Sequence, residues 1–173
     1  MNQPTIGNVE QLTFTQVGKS VQAKIDTGAT TSSIHATEIK IDQSRHTVTF
    51  VSDVLSSGRM TLDLVGVQEV HSADAGGAAR PVVELDIEIG GVSLKSMKFN
   101  LNDRSNMDSP VLVGQNVLQA GQFLIDTTQI DSKPQAPDRD AAVAEALATL
   151  AANNVTLAEA ITYLQTLAIA KLK

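Results

Sequence analysis

A chain of 173 residues has room for one domain with an appendage or two very small domains, and 42% hydrophobic residues suffice for a core. A formal net charge of −6 speaks against nucleic-acid and anionic-membrane partners, and 3% aromatic residues without tryptophan leave few stacking platforms for bases or sugars. The absence of cysteine removes disulfides, thiolate nucleophiles and cysteine-based zinc sites together and suits a reducing compartment.

In chain order, Met1-Asn2-Gln3-Pro4-Thr5 carries neither a basic region nor an apolar stretch, so no signal peptide is expected. No window is long and apolar enough to span a membrane. A soluble cytoplasmic protein is expected, or a virion component if the host is a virus. Residues 5–130 are rich in Val, Ile, Thr and Gly. Val21-Gln22-Ala23-Lys24-Ile25, His46-Thr47-Val48-Thr49-Phe50-Val51 and Val83-Glu84-Leu85-Asp86-Ile87-Glu88-Ile89 alternate with period two. The last run ends at Gly90-Gly91, a hairpin turn into Val92-Ser93-Leu94 and Met97-Lys98-Phe99-Asn100-Leu101. Such patterning predicts an all-β barrel or sandwich over residues 1–130. The glycine-rich stretch at 72–79 is expected to hold regular structure poorly and to form a mobile hairpin tip.

Two prolines, Pro134 and Pro137, mark a linker over 131–139. Beyond it the composition shifts to Ala, Leu, Glu and Gln. Val143, Leu147 and Leu150 recur at helical spacing, Thr156-Leu157-Ala158-Glu159 matches a capping box, and Leu157, Ile161, Leu164 and Ala168 stripe a second helix. A helical hairpin over 140–173 is therefore predicted, and its small apolar faces suit docking on the β domain, a second subunit or a partner protein. Basic residues are too few before Lys171 and Lys173 for a membrane anchor.

Ile25-Asp26-Thr27-Gly28-Ala29 carries the chemistry. An aspartic protease needs two carboxylates sharing one proton, one activating water and the other protonating the scissile carbonyl oxygen. Asp26 at a strand end supplies the acid, Thr27 a hydroxyl that can bond across to the other loop, and Gly28 room for close approach. One copy per chain means that a second chain must complete the pair. The segment Pro110-Val111-Leu112-Val113-Gly114-Gln115-Asn116-Val117-Leu118 reads as strand, glycine, then helix. It resembles the second signature of retroviral-type proteases, two hydrophobic residues followed by Gly-Arg-Asn, with the glycine-rich hairpin between the signatures where such proteases carry a flap.

A closer resemblance is to a bacterial retropepsin-like family labelled ATP-dependent zinc proteases, often found beside ATP-grasp peptide ligases. It rests on Lys24 to Ala36, Arg80-Pro81-Val82-Val83, Asp103-Arg104-Ser105-Asn106-Met107, Pro110 to Leu118, and Phe123-Leu124-Ile125-Asp126. The resemblance implies a mainly β fold with a closed acid-protease barrel, a homodimer, and peptide-bond hydrolysis by Asp26, Thr27 and Gly28. Substrate contacts would come from Ala29 and Thr30, and from Ala75, Gly76, Gly77 and Ala78 of the flap. No cofactor is expected. His35, His46 and His71 are not at ligand spacing, there is no His-Glu-x-x-His, and no Gly-rich phosphate loop ends in Gly-Lys-Ser/Thr.

Thr30 and Gln115 stand where many retroviral enzymes pair an Asp with an Arg, which keeps a neutral hydrogen bond open without a buried ion. Asp126-Thr127-Thr128 could mimic a second triplet, though a strand ending in a turn is the simpler account. His35 could orient substrate or open a surface turn, and Asp103-Arg104 could form a local ion pair that stabilises a dimer edge or, less simply, a substrate-binding pair. Two functions compete. One is a dimeric aspartic peptidase; the other is a silent barrel serving as a structural or adaptor subunit of a larger assembly such as a virus particle, docked through 140–173. The tail could also act as a built-in inhibitor.

Overall fold

The computed structural model describes residues 3–72 and 75–130; the linker and helical hairpin expected over 131–173 lie outside them. The elements in chain order are β1 (Thr5–Ile6), β2 (Val9–Phe14), β3 (Lys19–Ile25), β4 (Ser32–His35), β5 (Thr37–Asp42), β6 (Thr47–Val51) and β7 (Arg59–Asp63). They continue with β8 (Gly66–Ser72), β9 (Ala75–Ile89), β10 (Val92–Asn102), β11 (Val111–Val113), one short helix α1 (Gln115–Ala120), and β12 (Leu124–Ile125).

Strands pair in the order β10-β4-β11-β3-β2-β9, and β9 pairs again with β10, so the sheet closes into a six-stranded barrel. The mainly β, closed-barrel expectation is met. Strand β8 lies outside this ring on the edge of β9, β5–β6–β7 form a separate antiparallel sheet, and β1 pairs in parallel with β12. The alternation seen in the sequence decides which face turns inward. Leu12 and Phe14 of β2, Ala23 and Ile25 of β3, Val83, Leu85, Ile87 and Ile89 of β9, and Phe99 and Leu101 of β10 are all buried in one core. Phe14 and Phe99 meet edge to face at 5.8 Å.

Gly90 and Gly91 both take positive φ, 55° and 75°, as a two-residue hairpin with the strands' right-handed twist requires. The two short runs expected after them are one strand, β10, interrupted by a bulge between Leu94 and Met97 with Ser96 at φ 51°. Asp86 of the facing strand holds this bulge by accepting the Ser96 N–H at 2.9 Å and the Lys95 Nζ at 3.0 Å. The glycine-rich stretch corrects its sequence expectation. Its backbone is strand from Ala75 onward, with Val70 opposite Ala78 and Ser72 opposite Ala75, because ladder bonds to β8 use main-chain groups that any residue supplies. Only the tip, 73–74, falls outside the described residues.

The Ser96 N–H and the Lys95 ammonium together hold the Asp86 carboxyl below the usual carboxylate range. The Ser44, Ser105 and Thr128 hydrogen bonds do the same for Asp42, Asp103 and Asp126. A carboxyl depressed in the folded state contributes stability that is complete above its unfolded value and lost as pH falls through the folded one. The melting temperature is therefore expected to hold steady from neutral pH down to about 5 and to fall below about 4. Asp86→Ala should lower it at neutral pH and flatten the acid limb. Thermal melts of both proteins across that range check this, and parallel acid limbs would refute the assignment to Asp86.

Candidate active site

Strands β3 and β4 are consecutive, yet they do not pair with each other. Strand β11 lies between them, parallel to β3 (Val113 opposite Ile25) and antiparallel to β4 (Leu112 opposite Ser33). The loop joining β3 to β4 therefore passes over the end of β11, and this loop is Asp26-Thr27-Gly28-Ala29-Thr30-Thr31. The crossing is stitched by backbone bonds: Asp26 N–H to the Val113 carbonyl at 2.9 Å, Gln115 N–H to that of Ala29 at 2.8 Å, and Asn116 N–H to that of Thr30 at 3.2 Å. Gly114 sits at the contact. A Cβ there would lie 2.7 Å from the Ala29 carbonyl oxygen and 2.9 Å from the Thr31 carbonyl carbon, so only glycine lets the two segments close.

Side chains complete the crossing. The Asn116 Oδ1 accepts the Ser32 N–H and hydroxyl, both at 2.9 Å, while its amide donates to the Lys98 carbonyl of β10. The Ser32 hydroxyl oxygen in turn accepts the Gly114 N–H. Gln115 does not turn to Thr30; its Nε2 donates to the Thr27 carbonyl at 2.7 Å. Within the loop, Asp26 Oδ1 accepts N–H bonds from Gly28 at 2.9 Å and Ala29 at 3.2 Å. Its Oδ2 has no hydrogen-bond partner among the described residues, and Asp26 is half-buried while Thr27 and Gly28 are exposed. A carboxylate with one oxygen anchored and the other open can hold a water or meet a second carboxylate.

Cross-strand register extends the site. Lys24, Leu112, Ser33, Asn100 and Val82 stand side by side on five neighbouring strands, on the face turned away from the core. Asp26 continues this face beyond Lys24. The Ser33 hydroxyl, Asn100 Oδ1 and Arg80 Nε are buried there without a partner among the described residues, while the Asn100 amide donates to Gln68 of β8 at 3.2 Å. Arg104 is buried, donating from its backbone to His35 Nδ1 at 2.9 Å and from Nε to the Ser109 carbonyl at 3.0 Å. Burial and the neighbouring Arg80 push its guanidinium below the ordinary arginine range, and the Asp26 carboxylate pulls it back up. Arg104 thus lies within electrostatic reach of both Asp26 and Arg80.

The loop and second signature are thus brought together as one unit. Two expectations change, and the simpler account of Asp126 holds. The Asp103–Arg104 ion pair does not form: Asp103 bonds Ser105 and lies 3.8 Å from His35, leaving Arg104 to the site. His35 ends β4 as an acceptor for Arg104 and opens no turn. Asp126 is occupied within its own turn by Thr128 and Gln129, so the second triplet is structural. Sequence reasoning gave no site role to Ser33, Asn100 or Arg80, although Ser33 and Arg80 lie within the segments that carry the resemblance; Asn100 shows only as a polar residue between Phe99 and Leu101. Among the described residues, no group of three or more His, Asp and Glu is placed to hold a metal, and no described helix is long and apolar enough to cross a membrane.

Comparison with known proteins agrees with this geometry. No curated protein matches the sequence. A crystal structure of the protein Lpg0085 of unknown function (DUF785) from Legionella pneumophila is similar, with a TM-score of 0.62 and 25% identity, covering 76% of this chain and 98% of that one. Residues 5–135 match the RimB-like family, described as retropepsin-like aspartic endopeptidase RimB. With the barrel, the β11 crossing and the Asp-Thr-Gly loop all inside the matched span, the chain belongs to the RimB-like family of retropepsin-like proteins.

Proposed function

We propose that the chain is an aspartic endopeptidase that works as a homodimer, each copy contributing one Asp26. The observation that supports this best is the half-committed carboxylate. Asp26 Oδ1 is fixed by two backbone N–H groups, while Oδ2 has no hydrogen-bond partner among the described residues. Among the described residues, Asp126, which the sequence offered as a second triplet, is tied into its turn. The partner carboxylate must come from a second copy, and the exposed Thr27 hydroxyl is free to bond across to the partner's loop. Water held between the pair attacks the peptide carbonyl, one carboxyl taking its proton and the other protonating the carbonyl oxygen, with no covalent intermediate. The pair works with one proton between two carboxylates, so activity is expected to rise below neutral pH. Strands β8 and β9 form the hairpin that would cover a substrate over the non-core face.

The same face sets preference. Arg104, within electrostatic reach of both Asp26 and Arg80, together with unpartnered polar atoms on Asn100 and Ser33, favours substrates carrying anionic or amide side chains over apolar ones. Arg104→Met is expected to raise KM for glutamate-containing peptides by about 10- to 100-fold and to change it little for uncharged ones. Steady-state kinetics on a matched peptide pair decide it; an equal effect on both peptides would refute the preference. The peptidase assignment itself is tested by following cleavage of a mixed peptide library alongside sedimentation. Turnover should track the dimer fraction, and a monomer cleaving at full rate would sink the shared-dyad mechanism.

A further inference from the structure

Gln115 and Asp26 do not touch, yet one peptide unit joins them. The Thr27 carbonyl accepts the Gln115 Nε2–H at 2.7 Å. The N–H of that same peptide, on Gly28, donates to Asp26 Oδ1 at 2.9 Å. Hydrogen bonds at the two ends of one amide reinforce each other, because withdrawing electron density at the oxygen makes the N–H a better donor. The second bond to Oδ1, from Ala29, is longer at 3.2 Å. Thr27 and Gly28 are exposed, and glycine tolerates either orientation of the preceding peptide plane. Without a donor at its carbonyl, the Thr27–Gly28 peptide is free to turn its oxygen to water and carry its N–H away from Asp26.

Gln115 is itself well anchored for this task. It is the first residue of α1, and its own N–H is bonded to the Ala29 carbonyl at 2.8 Å, so side chain and main chain grip the loop at two points. The donor must be the amide nitrogen, since the atom it faces is a carbonyl oxygen. Being neutral, it adds no charge beside a carboxylate that already has Arg104 within electrostatic reach. We infer that Gln115 is a positioning residue: it acts through the Thr27–Gly28 peptide to orient and strengthen the hydrogen bond that holds Asp26 Oδ1. This builds on the peptidase reading, but the bond itself can be followed without turnover.

The test uses the full chain with Gln115→Met, which keeps the length and loses the donor, and Gln115→Arg, which restores one. Gln115→Leu stands in if the Met variant does not fold. Amide exchange by NMR should show the Gly28 N–H exchanging at least about 10-fold faster in Gln115→Met and near the wild-type rate in Gln115→Arg. With a cleavable peptide, kcat should fall about 10-fold in Gln115→Met at a KM within about twofold, and recover in Gln115→Arg. Unchanged Gly28 exchange in Gln115→Met, or an arginine variant as impaired as the methionine one, would overturn the inference. If the wild type cleaves nothing, the peptidase reading fails while the exchange data alone still decide the role of Gln115.

Discussion

Asp26→Asn is expected to reduce peptide cleavage on the order of 10⁴-fold while leaving the melting temperature and the dimer unchanged. The asparagine side chain keeps an oxygen that can accept the Gly28 and Ala29 N–H bonds now made to Oδ1. The loop should therefore keep its shape. What it loses is the ability to take a proton from water, and the dyad cannot share a proton between two amides. The neutral amides also remove the pair's shared negative charge from the dimer interface, so association should hold. Progress curves with a cleaved library peptide, together with sedimentation and a thermal melt, check all three points. Cleavage surviving in a folded, dimeric Asp26→Asn protein would remove Asp26 from the chemistry and favour a barrel whose work is structural.

The second large effect is expected at Gly114. Its Cβ position is bounded by backbone on three sides: the Ala29 oxygen at 2.7 Å, the Thr31 carbonyl carbon at 2.9 Å and the Ser32 nitrogen at 3.1 Å. Backbone cannot swing aside as a flexible side chain can, so Gly114→Ala should cost at least about 1–3 kcal/mol. That corresponds to a fall of roughly 5–15 °C in melting temperature for a domain of this size. Activity should fall further than stability explains, because the displaced segment includes Ala29, whose N–H bonds Asp26 Oδ1. Gly58→Ala is the control: nothing lies within 4 Å of its Cβ position, and its effect should stay within about 0.5 kcal/mol. Equal melting temperatures for the two variants would mean that the loop crossing is looser than the distances state.

Much of the fold was legible because β patterning is local. The alternation in 21–25 and 83–89, Gly90-Gly91 and the strand-Gly-helix segment at 110–118 all became the expected elements. Period-two burial depends only on neighbouring residues, so the inward faces of β3 and β9 could be read directly. Where reading failed, backbone pairing decided. Glycines and alanines at 75–79 look unfit for a strand in isolation, yet β8 supplies their ladder partners.

The site divides along the same line. The sequence by itself determined that Asp26 heads a tight Asp-Thr-Gly turn at a strand end, and that a Gly-Gln-Asn element follows about 88 residues later; covalent order and local turn chemistry carry that much. That β11 enters between β3 and β4, setting Gln115 on the Thr27 carbonyl and leaving Thr30 aside, follows from the folded sheet. It alone separated Arg104 from Asp103 and set it within electrostatic reach of Asp26. Barrel closure is the physical reason. It joins residues some 80 positions apart through strand register, and no local pattern in the chain encodes which rows will face each other.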